Sequence, residues 1–297
     1  MPETNAFYQP ELTLPDLLPR AIAAHPDLFV AYCDKEGSLT IQTYEDLLRK
    51  AERIASGLHN LGLRQGDKII IATRDNKETI ELLWGGFLLG LVPTILQPPM
   101  TFSGYNPSVV KLMSVFEQLG NPYIFMSEGV KDSGEFQEGK IRHVTDLDLS
   151  GEHPRPDLKP DDLAFIQFSS GSTGDPKGIM LTHGNLMVNM DAIRVGLDLH
   201  YPDNIGNWMP LYHDMGLIGY HLTPLYSISF QFHVEAIDFV MNPGLWIHMM
   251  SQHKITVTGC PNFGLALVLR YLNRKKPVFD WDFSPMKAML NGAEPIS

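Results

Sequence analysis

Between residues 68 and 126 short apolar runs alternate with helical stretches, and this alternation restricts the fold more than any other feature of the chain. Lys68–Ala72 reads K-I-I-I-A, a buried strand introduced by a Gly66-Asp67 turn. A helix is expected over residues 76–89. Pro93 then gives way to a strand at 94–97, closed by Pro98-Pro99. A helix over 107–119 leads to the strand Tyr123–Met126. Strands joined by helices of this length pair in parallel, because each return crosses the sheet face. Upstream, Tyr44, Leu47, Leu48, Ala51, Ile54, Ala55, Leu58 and Leu61 mark one face of an amphipathic helix, with Thr43 as its cap and Gly62 as its stop.

The Pro- and Asp-rich segment 146–162 holds few apolar side chains and reads as a linker. The expected organisation is a first α/β subdomain over 1–147, a linker over 148–162 and a second α/β subdomain over 163–297. In the second, a strand at 163–168, a loop at 169–178 and a strand at 178–181 precede a helix from about Gly184, with Thr182 as its cap. Next come a strand ending at Pro210, a helix from about Asp214 and a strand around 230–236. A helix at 243–253, a strand at 255–259, a helix at 262–273 and a strand at 287–290 complete the pattern. No period of 20–50 residues repeats, which excludes a solenoid. The last residue, Ser297, follows closely on the last strand, so a longer protein is expected.

Net charge narrows the partners. The chain has 23 Lys+Arg against 34 Asp+Glu, giving −11, which argues against a nucleic-acid surface built on clustered cations. Only Cys33 and Cys260 are present, so no disulfide framework is expected and a reducing, cytoplasmic setting fits. The first twelve residues lack the pattern of a signal peptide. The apolar run 82–96 is too short for a membrane span and carries Pro93, so no transmembrane segment is expected.

Residues 168–178 read F-S-S-G-S-T-G-D-P-K-G. Glycines let backbone N–H groups approach an anion, hydroxyls add donors, and Lys177 adds a point charge suited to phosphate. It is not a Walker A loop: Gly171 and Gly174 are three apart, and Lys177 is followed by Gly178. A Ser/Gly-rich surface turn is the plain alternative. The flanking apolar strands and the Asp175-Pro176 turn favour a polyphosphate ligand.

A second candidate is W-M-P-L-Y-H-D-M-G-L-I from Trp208 to Ile218, which places Tyr212, His213 and Asp214 at a strand-to-helix turn. Asp214 is a candidate N-cap. The His-Asp pair reads either as a proton-handling group facing a cleft or as a capped helix with a hydrogen-bonded histidine. Met209, Met215, Leu217, Ile218, Leu222, Met249, Met250 and Phe263 supply apolar surface for a lipid tail or for the core. His183, His221, His233, His248 and His253 show no ligand spacing. Cys260, flanked by apolar residues, is expected to be buried and inert.

The loop and the following I-M-L-T-H-G-N-L resemble the signature of the adenylate-forming (acyl-activating) superfamily. Residues 39–44, Gly66-Asp67-Lys68, residues 89–93 and Asn291-Gly292-Ala293-Glu294-Pro295 fit it too. P-L-Y-H-D-M-G-L-I and Gly259-Cys260-Pro261-Asn262-Phe263 are most similar to the fatty acyl-AMP ligase branch. The resemblance implies an α/β fold, the large N-terminal domain of an adenylate-forming enzyme with mixed, mostly parallel sheets layered with helices, truncated before a C-terminal lid domain. It implies ATP and Mg²⁺ as cofactors, a fatty acid as substrate and the phosphopantetheine of an acyl carrier protein as acceptor. The phosphates are assigned to Ser169, Ser170, Gly171, Ser172, Thr173, Gly174 and Lys177, Mg²⁺ to Ser169, and adenine to Gly292, Ala293 and Glu294. His213 and Lys177 are the catalytic candidates. An acyl-CoA synthetase is the alternative within the superfamily, and a non-catalytic nucleotide- or acyl-adenylate-binding module the alternative outside it. The family's second acidic motif, its ribose-binding Asp and the lysine of its mobile domain have no counterpart in this sequence. The resemblance thus covers roughly half of a full member, and this portion alone is expected to be inactive or weakly active.

Overall fold

The computed structural model describes residues 7–102, 106–129, 134, 136–169, 176–275 and 280–293. They form two compact units. One comprises the chain up to Leu17 with Asp46–Val188; the other comprises Leu18–Glu45 with the chain from Asn189 onward. The compact units therefore do not divide at 148–162. That segment lies inside the first unit, where Asn60 Nδ2 donates to the carbonyls of Asp148 and Ser150 (2.8 and 2.9 Å) and Gln65 Nε2 donates to that of Asp157 (3.0 Å). Proline and aspartate here make a strap held by side-chain amides.

In chain order the strands are β1 (Phe29–Cys33), β2 (Leu39–Thr43), β3 (Lys68–Ala72), β4 (Val92–Ile95), β5 (Tyr123–Met126), β6 (Ile141–Arg142), β7 (Leu163–Ser169), β8 (Lys177–Thr182), β9 (Asn204–Asn207), β10 (Phe230–Val234), β11 (Val257–Cys260) and β12 (Ala288–Asn291). The helices are α1 (Leu17–Ala24), α2 (Tyr44–Asn60), α3 (Asn76–Leu88), α4 (Pro107–Gln118), α5 (His183–Gly196), α6 (Thr223–Tyr226), α7 (Ala236–Met241), α8 (Gly244–Gln252) and α9 (Asn262–Lys275). Among the described residues no helix is long and apolar enough to cross a membrane.

In the first unit β4, β3, β5 and β6 form a parallel sheet in that order. Pro93 lies within β4 rather than before it, opposite Ile69. Val92 N donates to Asp67 O and Leu96 N to Ile71 O, so even-numbered positions face β3 and the missing N–H of Pro93 falls on the other side. Helix α3 is polar over most of its first six residues and apolar from Leu82 onward, and it is buried nearly throughout. Asp75 caps it, accepting from Glu78 N at 2.8 Å. Antiparallel strands β7 and β8 form a separate hairpin. Ile166 and Phe168 of β7 join the core of this unit with Ile70, Ile124 and Val115, and Thr94 Oγ1 donates to Ile166 O at 3.1 Å.

In the second unit the sheet order is β12-β11-β9-β10-β1-β2. All pairings are parallel except the β1–β2 hairpin. Its core centres on Trp208, Phe239 and Trp246, with Trp208 stacked on Phe239 at 3.8 Å between ring centroids. Beneath the sheet lies a buried polar network. The Tyr44 hydroxyl donates to Ser229 O and accepts from Gln231 Nε2, both at 2.7 Å. Gln231 Oε1 meets His221 Nδ1 at 2.8 Å and His233 Nε2 at 3.1 Å, while Asn207 Nδ2 lies 3.2 Å from His233 Nδ1. One set of tautomers satisfies these contacts: His221 protonated at Nδ1 and His233 at Nε2, each donating to the glutamine oxygen. Burial pushes the His221 pKa down to about 4 and the His233 pKa down to about 3.

Candidate functional site

Ser169 and Lys177 are direct cross-strand partners at the loop end of the β7–β8 hairpin, so both strands reach one residue further toward the loop than sequence pattern alone indicates. Strand alternation puts Phe168 and Gly178 on one face and Ser169 and Lys177 on the other. Both Ser169 and Lys177 are exposed. Gly178 is required here by space: a Cβ would lie 2.9 Å from Phe168 Cζ and 3.0 Å from Ile166 Cγ2. The phenylalanine covers the glycine and fixes the register that sets the hydroxyl opposite the ammonium group. Beyond the hairpin, Thr182 caps α5 as expected: its Oγ1 accepts from Asn185 N at 3.1 Å while Asn185 Oδ1 accepts from Thr182 N at 3.2 Å. Ser170, Gly171, Ser172, Thr173, Gly174 and Glu294 lie outside the described residues.

In the second unit the C-terminal ends of β9, β10, β11 and β12 share one edge of the sheet, because these strands are parallel. That edge carries Tyr212, His213 and Asp214 after β9, Pro261, Asn262 and Phe263 after β11, and Gly292 and Ala293 after β12. Such an edge of an open parallel sheet is where ligands are commonly held. Strand β9 ends at Asn207, before the expected Pro210, because Asn207 Oδ1 accepts from Met209 N at 2.7 Å and turns the chain. The helix expected from about Asp214 is a π-helix, Met215–Leu222, a wide-turn form frequent at functional sites. Asp214 is its cap, accepting from Met215 N at 2.7 Å. His213 Nδ1 lies 3.6 Å from Asp214 Oδ1, with both side chains more than half exposed. The neighbouring His213 ring, with the hydrogen bond from Met215 N, holds the Asp214 carboxyl below its ordinary range. Burial raises the Tyr212 phenol above its own. Gly216 is needed because a Cβ would collide with the Pro210 carbonyl.

Three further polar groups belong to this part of the second unit; sequence reasoning included Trp208 and Asn291 in its motifs without giving them a role, and did not name Tyr220. Trp208 Nε1, the Tyr220 hydroxyl and Asn291 Oδ1 are buried and have no hydrogen-bond partner among the described residues. Asn291 Nδ2 donates to Asn262 Oδ1 at 2.7 Å, tying the end of β12 to the start of α9. A side chain at Gly259 would strike the Tyr220 hydroxyl, and one at Gly264 would lie 2.6 Å from Trp208 Cζ2. The signal for this cluster was present as two glycines beside bulky aromatics, without a way to know that they meet. Unpartnered buried donors and acceptors cost about 1–3 kcal/mol each, and they suit a site completed by a polar ligand. Ala293 takes a positive φ of 69°, and among the described residues no atom would lie within 4 Å of a Cβ at Gly292. His183, His221 and His233 are buried and structural, and Cys260 is buried with its thiol raised to about 11 by desolvation. Among the described residues no group of three or more His, Cys, Asp or Glu is placed to hold a metal ion.

Comparison with known proteins bears on these features directly. The family model for AMP-binding enzymes matches residues 18–297. The chain belongs to the AMP-binding enzyme family. Over 141 residues it is 37% identical to TtuA of Teredinibacter turnerae, a medium-chain-fatty-acid–[acyl-carrier-protein] ligase, covering 48% of this chain and 22% of that protein. Its fold matches McyG A-PCP complexed with phenylalanyl-adenylate, with a TM-score of 0.89, 28% identity and coverage of 97% of this chain and 53% of that one. It also matches the fatty acyl-adenylate ligase of Legionella pneumophila in complex with acyl adenylate and pyrophosphate, with a TM-score of 0.85, 27% identity and coverage of 96% and 50%. The chain thus spans about half of each matched structure, and its 141 aligned residues span less than a quarter of the Teredinibacter ligase. The mixed α/β architecture with mostly parallel sheets agrees with the family resemblance carried by residues 168–178 and 291–295.

Proposed function

We propose that the protein containing this chain joins a fatty acid to AMP, releasing pyrophosphate, and passes the acyl group to an acyl carrier protein. The observation that carries this reading is the pairing of Ser169 with Lys177 at the mouth of the hydroxyl- and glycine-rich loop. Bound ATP supplies an electrophilic α-phosphorus and a pyrophosphate leaving group. The Lys177 ammonium offsets charge on the phosphate oxygens, and the Ser169 hydroxyl donates to them or contributes one oxygen to Mg²⁺. Loop residues Ser170, Gly171, Ser172, Thr173 and Gly174 add hydroxyl and backbone donors. Gly292, Ala293 and Glu294 provide backbone for the adenine. His213, oriented by Asp214, positions the attacking carboxylate. The fatty-acid assignment is supported by the TtuA relative and by the Legionella ligase structure, and the carrier assignment by the TtuA relative.

The test is pyrophosphate release by the full-length protein, requiring both ATP and a fatty acid, followed by transfer of the acyl group to a holo carrier protein or to coenzyme A. A second reading, activation of an amino acid, is favoured by the McyG match. Release with phenylalanine and other amino acids, and none with fatty acids of any length, would replace the first reading by the second.

A further inference from the structure

The second unit carries a groove that uses none of the residues assigned above. Its volume is about 490 Å³, within the range of binding clefts. One wall is the end of α7 and the turn after it, including Val240 and Met241; the other is α9. Helix α9 contributes Leu267, Arg270, Tyr271 and Arg274, an i, i+3, i+4, i+7 series on one face, and Lys275 lies beside them. Among the described residues no acidic side chain lines this groove. Arg270, Arg274 and Lys275 take part in none of the ion pairs among the described residues. Three uncompensated cations in one groove stand out in a chain of net charge −11.

The apolar part of the surface is also unpartnered. On α7, Ile237, Val240 and Met241 are 59, 46 and 78% exposed and share a helical face. Tyr271 is held in place because Gly244 has no side chain: a Cβ there would collide with the phenol. Arg, Tyr and Met are the side chains enriched in protein–protein interfaces, and Asp and Glu are depleted there. Arg270 and Arg274 stand about 6 Å apart along the helix axis, matching carboxylates one turn apart on an incoming helix.

We infer that this groove docks the carrier-protein partner, by a helix bearing carboxylates one turn apart beside an apolar side chain. The inference rests on the carrier-transfer reading given above. Its placement suits that reading. Helices α7 and α9 both leave the sheet edge that carries His213 and Gly292, and Arg270 lies about 12 Å along α9 from Asn262. A carrier docked there leaves its flexible prosthetic arm to span that distance.

The test uses the full-length enzyme and a holo acyl carrier protein that it loads. The R270E/R274E variant is expected to release pyrophosphate from ATP and fatty acid at the wild-type rate, while its KM for the carrier rises about tenfold or more with little change in kcat. The wild-type KM is expected to rise with salt and that of the variant to respond less. A carrier with the facing carboxylates changed to lysine should restore the variant. If the charge reversal prevents folding, R270Q/R274Q is expected to give an intermediate rise in KM. Transfer by the wild type with an unchanged carrier KM in either variant overturns the docking inference alone. Pyrophosphate release without transfer to any carrier by the wild type overturns the carrier reading itself, and the docking inference with it.

Discussion

The ring of Phe168 occupies the space that a side chain at Gly178 would need, 2.9 Å from where a Cβ would stand. This cross-strand contact locks the two strands at the base of the loop. It is expected to be worth more to the protein than a contact of its size on an open strand, because it also sets Ser169 opposite Lys177. Gly178→Ala should destabilise by about 1–3 kcal/mol through overpacking, measured as a lowered thermal midpoint. Adding Phe168→Leu should return part of that loss. Additive effects of the two changes would contradict direct contact between these positions.

Lys177→Ala and Ser169→Ala remove exposed groups and should leave the thermal midpoint unchanged. In the full-length enzyme Lys177→Ala is expected to lower kcat/KM for ATP by roughly 10- to 100-fold, the size of a lost hydrogen bond to a charged group. Ser169→Ala should have a smaller effect that shifts the Mg²⁺ dependence. Steady-state pyrophosphate release at varied ATP and Mg²⁺ checks both. Wild-type kinetics in the lysine variant would remove the loop from the phosphate site.

Acid should loosen the fold over a defined window. Burial lowers His183 and His221 to about 4 and His233 to about 3, from an ordinary value near 6.5. The unfolded chain therefore binds protons in this range that the folded chain does not, and stability rises with pH there. The histidine contribution is complete above about pH 6.5 and is lost toward pH 4 for His183 and His221 and toward pH 3 for His233, at up to about 1.4 kcal/mol per pH unit for each ring. His183 Nδ1 accepts from Leu14 N at 3.1 Å. His183→Asn keeps an acceptor and should flatten the slope of urea stability against pH while costing little at pH 7. An unchanged slope would exclude His183 from the effect.

Tyr44→Phe deletes a hydroxyl that both donates and accepts inside the second unit. Ser229 O and Gln231 would lose a partner in a dry environment, and a loss of about 1–3 kcal/mol is expected. Because Gln231 also meets His221 and His233, the same variant should alter the acid response. Tyr44→Phe combined with Gln231→Leu should cost less than the sum of the single changes.

Much of this architecture was legible where the local pattern was self-sufficient. Lys68–Ala72 and Tyr123–Met126 are strands with the predicted bounds, because each is a short, mostly apolar run between helical stretches. The frame of the loop was legible for the same reason, with apolar residues on both sides. Pro93 was read as a breaker because the sequence does not show that β4 turns its 93rd position away from β3. Helix α7 was missed because 230–236 reads as one continuous strand, and the short helix takes over at Ala236. The hairpin of β1 and β2 was not read as a pair, although Asp34 Oδ1 accepts from Glu36 N and Ser38 N and Gly37 takes φ 89°. The π-helix after Asp214 and the meeting of Tyr220 with Gly259 depend on packing, which residue spacing does not reveal.

Val30 of β1 pairs with Gln231 of β10, 231 − 30 = 201 positions along the chain. As the polypeptide leaves the ribosome N-terminus first, at about 5–20 residues per second, the β1–β2 hairpin must wait ten seconds or more for the strand that covers its flank. Throughout that interval an unpaired backbone ladder beside the apolar side chains of Phe29–Cys33 is open to other nascent chains. Production of this protein is therefore expected to depend on chaperone supply and on growth temperature more than its finished stability would suggest.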